Sequence, residues 1–180
     1  QLCERERQPG FTANALFGAG VFTSYWGEPL NASRKLFARG LRESMTAADL
    51  IYAAYNARVL IGVQIMTGMP LTDFAREIQR LRGLARQIND PDLNLLLDLA
   101  ELRLHTLRDR GRLDESAFFA LRPRLRTEAA RGYHALFGME LAVLCGHRAI
   151  FAWCSRELRA LPDFLTSGFY FAEAELLNAL

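Results

Sequence analysis

The residues whose types could carry chemistry do not fall into the spacing of a catalytic or ligand-binding motif. The segment GAG at 18–20 half resembles a nucleotide-binding loop, but it lacks a third glycine and a preceding strand. His105, His134 and His147 have no second histidine or cysteine at metal-ligand spacing. No serine stands in a nucleophile elbow. We therefore expect no catalytic residue, no metal and no cofactor, and we interpret the glycines as sites of close helix packing.

Charged residues give no sign of a nucleic-acid-binding protein. The chain carries 22 basic and 20 acidic residues, for a net charge of +2, and Lys35 is its single lysine. Arginines are dense between residues 103 and 131, but acidic residues are interspersed among them and few aromatic residues accompany them. A phosphate-tracking surface needs a stronger positive bias and aromatic residues for base stacking. We therefore expect no nucleic-acid partner.

Length and composition favour one helical domain cut from a longer protein. The chain has 180 residues, of which 51% are hydrophobic, enough to form its own core. Its longest apolar stretch, at 50–66, is interrupted by polar residues, so we expect no membrane span. The first ten residues have no signal-peptide features and are expected to be a fraying lead-in. Three cysteines without a CxxC pair favour a reducing, cytoplasmic location.

Apolar residues recur every three or four positions along most of the chain, which predicts an all-α fold. Local signals mark the helix ends. Thr46 and Asp49 have the spacing of a capping box. Asp90 before Pro91 predicts the end of one helix and the capped start of the next. Pro123 is expected to break a helix, because its ring clashes with the preceding turn.

Glycine-containing turns recur at a spacing that indicates a helical repeat. They lie at Gly27, Gly68, Gly111 and Gly146, which are 41, 43 and 35 residues apart. Helical stretches flank each turn, and a repeat of this length built from helix–turn–helix units is typical of an α-solenoid. The predicted helix pairs are 11–26 with 30–46, 47–66 with 71–88, 92–109 with 114–121, and 126–145 with 148–160, followed by a terminal helix at 163–179.

The small residues within these units resemble those of tetratricopeptide (TPR) repeats, although the spacing is degenerate. Gly20, Gly62 and Gly138 stand midway along the first helix of three units, where close packing needs a small side chain. The resemblance implies a TPR-like right-handed α-solenoid of antiparallel helix pairs, with about four units and a terminal helix, in a single domain spanning 1–180.

A second resemblance covers most of the chain from about residue 17. WGEPL at 26–30, DLIYAAYN at 49–56, GMPL at 68–71, LPDF at 161–164 and FYF at 169–171 are similar to the helical-repeat region of large bacterial signalling proteins. In that family a kinase-like domain and a P-loop ATPase precede the region, and GAF and histidine-kinase modules follow it. More loosely, the chain resembles the sensor arm of ATP-dependent transcription activators of the maltose-regulator type.

The resemblance implies a non-catalytic scaffold that binds protein segments or neighbouring domains of the parent chain and relays signals. The alternative is a sensor arm that binds a small-molecule effector. Because the first helices of a solenoid line its concave surface, the turn register makes eight residues candidates for exposed groove contacts. They are Tyr25, Tyr55, Arg58, Asp98, Glu101, His105, Tyr133 and Glu140. The apolar terminal helix also predicts association of the isolated chain, as a homodimer or larger species.

Overall fold

The computed structural model describes residues 9–23 and 29–161, and all regular structure in these ranges is helical. This confirms the all-α prediction. The α-helices are α1 (Pro9–Gly18), α2 (Leu30–Thr46), α3 (Leu50–Met66), α4 (Leu71–Ile88), α5 (Pro91–Arg108), α6 (Glu115–Ala120), α7 (Glu128–Cys145) and α8 (Arg148–Arg159). A π-helical turn, Ala19–Thr23, follows α1, and a 3₁₀ turn, Arg122–Arg124, follows α6. None of these described helices is long and apolar enough to cross a bilayer.

Several predicted features lie outside the described residues. They are the terminal helix at 163–179, the turn at Gly27, and residues 1–8 of the expected lead-in. Pro9 and Gly10, which were also expected in the lead-in, form the first turn of α1 instead.

Side chains at the helix starts satisfy backbone N–H groups that have no partner within the helix. The Asp114 carboxylate accepts from the N–H of Ala117, at 3.0 Å, at the start of α6. Thr127 does the same for Ala130 in α7, also at 3.0 Å. Asp90 accepts from the N–H of Leu93 at 2.7 Å, which confirms the predicted cap of α5.

The predicted capping box at 46–49 is wrong. Thr46 is the last residue of α2, and its hydroxyl donates to the carbonyl of Arg42. Asp49 is itself the N-cap of α3 and accepts from the N–H of Tyr52 at 3.1 Å. Ala48 has φ 55° and Asp49 has ψ 82°, and both lie outside the right-handed helical region, so α3 begins at residue 50.

The glycine turns and the proline break are confirmed where the structure describes them. Gly68, Gly111 and Gly146 have φ of 66°, 78° and 68°, the left-handed region that glycine enters without strain. Pro123 lies in the 3₁₀ turn that ends the short α6. The helix predicted at 114–121 is therefore short, spanning only Glu115–Ala120.

The chain divides into two compact units, Gln1–Leu93 and Asn94–Leu180. In the first unit α3 is the central helix, because it packs against α1, α2 and α4. Twelve of its seventeen residues are buried, among them the polar residues Asn56, Arg58 and Gln64. The largest fully buried side chains of this unit include Phe37, Leu60, Ile61, Ile78 and Leu81.

In the second unit the helix pair of α7 and α8 forms much of the core. Phe118, Leu136, Ile150 and Leu158 are fully buried. The Phe118 ring lies over the ring of His134, with their centroids 4.2 Å apart. Aromatic packing therefore joins α6 to α7 within this unit.

Glycines at helix contacts allow close approach, as the sequence predicts for two of them. A Cβ added at Gly20 would lie 2.5 Å from the Phe37 ring, and one at Gly138 would lie 2.8 Å from the sulfur of Cys154. Gly40 of α2 provides a third contact, because an added carbon there would overlap the buried amide of Asn56 in α3. These positions have no room for a methyl group.

Gly40 and Gly83 are mid-helix glycines with different surroundings, and alanine substitutions at them should have opposite effects on stability. We expect Gly40→Ala to lower the free energy of unfolding by about 1–3 kcal/mol, because the Asn56 amide must shift. Gly83 of α4 has nothing within 4 Å of an added carbon. Gly83→Ala should therefore raise stability by about 0.5–1 kcal/mol through helix propensity. Urea denaturation followed by circular dichroism measures both, and equal stability of the two variants would contradict the contact.

His134 is fully buried and neutral in the second unit. Its Nε2–H donates to the carbonyl of Phe118 at 3.1 Å, so Nδ1 is unprotonated, and Nδ1 has no hydrogen-bond partner among the described residues. Burial lowers the pKa of His134 to about 4, because the imidazolium is poorly solvated there. The imidazole of His134 therefore takes up a second proton less readily in the folded state than in the unfolded chain.

Stability contributed by neutral His134 is complete above the unfolded pKa of 6.5 and is lost as the pH falls towards 4. We expect the free energy of unfolding to be about 2 kcal/mol lower at pH 5 than at pH 7 from this group. Trp153, whose ring centroid lies 5.4 Å from that of His134, reports unfolding by fluorescence in a Trp26→Phe background. His134→Gln should remove this pH dependence and His105→Gln should keep it. An unchanged slope in His134→Gln would contradict the assignment.

Candidate functional site

A buried arginine on the central helix of the first unit organises the candidate site. Arg58 of α3 is 8% exposed. Its Nη1 donates to the carboxylate of Asp92, and its Nη2 donates to that of Asp90, each at 3.3 Å. A buried guanidinium is costly unless its charge is matched by hydrogen-bonded acids. The two carboxylates therefore fix Arg58 in place.

The two acids lie at the start of α5: Asp90 directly precedes the helix, and Asp92 lies in its first turn. Asn89 ends α4 in the left-handed conformation, at φ 54°, and reverses the chain. One oxygen of Asp90 caps α5 through the N–H of Leu93, and the other accepts from Arg58. Asp90 therefore has two structural roles: it caps the N-terminus of α5, and it binds Arg58 of α3.

Tyr55 lies one helical turn before Arg58 and completes the polar and aromatic part of the site. The carbon of the Arg58 guanidinium lies 4.8 Å from the Tyr55 ring centroid, a cation–π distance. Phe17 stacks on Tyr55 at 5.6 Å, and Tyr52 meets it edge-on at 5.7 Å. These contacts hold the ring while 40% of Tyr55 stays exposed.

An open pocket of about 350 Å³ lies beside this arrangement. We call it the Tyr55 pocket; its lining includes Ile51, Ala54, Tyr55, Arg58, Ile88 and Asp90. Its volume is within the range of small-ligand and anchor-residue sites. The lining is mostly apolar, and its charged residues, Arg58 and Asp90, are hydrogen-bonded to each other.

Exposed apolar side chains are concentrated at this pocket. In the described part of the chain six large apolar residues are exposed, and Leu50, Ile51 and Tyr55 are three of them. Ile51 is 66% exposed. Clustered exposed apolar residues mark interaction surfaces more often than scattered ones do. The first turns of α3 are therefore the strongest candidate for contact with a partner.

The structure brings two of the predicted site residues together and changes the interpretation of one of them. Tyr55 and Arg58 are neighbours at the pocket, and Tyr55 is exposed as predicted. The exposure predicted for Arg58 is wrong, because Asp90 and Asp92 hold its guanidinium in the interior. Tyr25 lies outside the described residues.

The candidate groove residues of the second unit do not form one site: some are in ion pairs, and others differ in exposure. Asp98 pairs with Arg124, and Glu140 lies 2.7 Å from Arg103. Burial raises the pKa of Glu140, and the charge of Arg103 opposes that shift. His105 is exposed and Glu101 is half-buried.

The exposure predicted for Tyr133 is wrong. Its side chain is 8% exposed and stacks against Phe137, with the ring centroids 6.1 Å apart. Eleven of the eighteen residues of α7 are buried, so polar and apolar positions cannot be assigned to inner and outer faces from spacing alone.

Sequence reasoning did not identify Ile51, Asp90 and Asp92 as site residues. The sequence predicts only a helix-capping role for Asp90, and Asp90 does have that role. The missed signal was the apolar start of α3, where Leu50 and Ile51 follow the cap directly. A core helix usually places such residues inward, and only the packed structure shows that these two face solvent.

No group of three or more residues among the described histidines, cysteines and acids is arranged to hold a metal ion. The chain matches no protein-family model, no curated protein and no solved structure. Functional inference therefore depends on the residues themselves.

The Arg58 ion pairs predict a large stability difference between two arginine substitutions. We expect Arg58→Leu to lower the free energy of unfolding by about 2–3 kcal/mol, because two partly buried carboxylates lose their counter-ion. Arg76 pairs with Asp73 at the surface, and its side chain is 80% exposed. Arg76→Leu should change stability by less than about 0.5 kcal/mol. Urea denaturation at pH 7 measures both, and equal losses would contradict the central role of Arg58.

Proposed function

We propose that this chain is a non-catalytic, protein-binding and signal-relay scaffold within a larger bacterial signalling protein of the ATPase–kinase type. In this proposal it is a cytoplasmic TPR-like right-handed α-solenoid of antiparallel helix pairs, and its partners are protein segments or neighbouring domains of the parent chain. The observation that carries the proposal is the Tyr55 pocket. Three exposed side chains, Leu50, Ile51 and Tyr55, line it together with the buried guanidinium of Arg58.

The helix arrangement supports the scaffold part of the proposal. From α2 to α8 short turns join successive helices, and glycines allow close contact at Phe37 and at Cys154. Repeat scaffolds use the same combination of short turns and small residues to stack helix pairs. The resemblance of the turn segments to signalling proteins supports the proposed context.

The chemistry of the pocket supports binding rather than catalysis. Arg58 and Asp90, the two charged residues that line the pocket, are hydrogen-bonded to each other. Both terminal nitrogens of Arg58 are held by carboxylates. The pocket therefore offers shape, apolar area and a fixed electrostatic pattern, which are the properties of a recognition site.

A small-molecule effector is the second candidate, and the pocket volume of about 350 Å³ favours it. In that case the chain is the sensor arm of an ATP-dependent transcription activator. A thermal-shift screen of metabolites tests this alternative, because a ligand that binds only the folded state raises the melting temperature. A screen without any stabilising metabolite would count against it.

The scaffold proposal predicts the content of the parent reading frame and a binding reaction. We expect a P-loop ATPase to be encoded upstream and GAF or histidine-kinase modules downstream. We also expect at least one purified neighbouring segment to bind the 180-residue chain in calorimetry. Light scattering on the chain alone tests the predicted self-association, for which we expect the mass of a homodimer or a larger species. A frame that encodes none of these modules, together with no binding by any neighbouring segment, would overturn the proposal.

A further inference from the structure

We infer that the Tyr55 pocket recognises a partner peptide through a large apolar side chain next to a lysine or arginine. This inference rests on the proposed function, since it names the chemistry of the segment that the scaffold would bind. Two observations support it: the exposed apolar walls of the pocket, and the charge of the side chain that a ligand can reach there.

The apolar anchor is indicated by the walls of the pocket. Ile51 and Leu50 are 66% and 42% exposed, and Tyr55 adds an aromatic face that is 40% exposed. Ala54 is small, so the space between these side chains stays open. A leucine-sized or aromatic side chain fits a volume of about 350 Å³ and would remove these apolar surfaces from water.

The charge of the partner is indicated by which charged groups are accessible. The Arg58 side chain is 9% exposed, whereas those of Asp90 and Asp92 are 22% and 14% exposed. Asp90 lines the pocket and is the more exposed of the two charged residues there, so a ligand reaches its carboxylate more readily than the Arg58 guanidinium. This carboxylate would attract an incoming cation and repel an incoming anion.

Tyr55 adds a preformed aromatic wall to the pocket. Phe17 stacks on its ring, and the Arg58 guanidinium lies 4.8 Å from its centroid. Because Phe17 and Tyr52 hold the ring, its orientation needs little reorganisation on binding. A cationic side chain beside an apolar anchor satisfies both features of the pocket.

Selection of random twelve-residue peptides displayed on phage, with the 180-residue chain immobilised, tests this inference. We expect enriched peptides to share a large apolar residue adjacent to lysine or arginine. Synthetic copies of the enriched peptides, measured by fluorescence polarisation, should bind Ile51→Ser about tenfold more weakly than the unaltered chain. Ile51→Lys should weaken them further through charge repulsion, and that extra loss should shrink in high salt.

Leu144 offers a matched control, because it is a large apolar residue of the second unit that is 56% exposed. Leu144→Ser and Leu144→Lys should leave peptide affinity unchanged. Ile51 and Leu144 are both exposed, so their substitutions should also leave the urea midpoint unchanged. That measurement separates a loss of binding from a loss of folding.

The possible outcomes separate the two proposals. Enriched peptides with acidic residues in place of basic ones would overturn the charge assignment. Peptides that bind equally well to Ile51→Ser would overturn the pocket assignment and leave the protein-binding scaffold standing. A selection that enriches no specific peptide would overturn the peptide inference, whereas calorimetry with the neighbouring parent segments tests the scaffold separately.

Discussion

The arrangement of the first unit depends on one buried ion-pair cluster. Arg58 lies on the central helix α3, and its guanidinium meets Asp90 and Asp92 at 3.3 Å each. Such a charge is stable in the interior only if both acids are held in position. Asp90 is held because it also caps α5. The cluster thus links the interior of α3 to the turn after α4, and the Tyr55 pocket forms where these elements meet.

The sequence predicted the helices well because their ends are determined locally. Prolines, glycines and capping acids act within a few residues, and Asp90, Pro123 and Gly146 have the structural roles expected of them. The capping box at 46–49 failed for a local reason too, since residue 48 takes a positive φ and delays the helix start.

The site was less predictable, because burial is decided by non-local contacts. Arg58 pairs with acids 32 and 34 residues away, and no local pattern signals this pairing. Ile51 has the composition of a core residue but is 66% exposed. Periodicity correctly placed Tyr55 near a surface, yet it could not distinguish the exposed Tyr55 from the buried Tyr133. The pocket and its charged lining exist only because residues 89–92 pack against α3.

In the function proposed here, this chain binds a protein segment at the Tyr55 pocket. Hydrogen–deuterium exchange of the 180-residue chain, with and without its neighbouring parent segments, tests this binding, because exchange reports local protection along the whole backbone. We expect new protection confined to residues 50–58 and 88–92. Binding accompanied by protection only elsewhere in the chain, with none in these two segments, would contradict it.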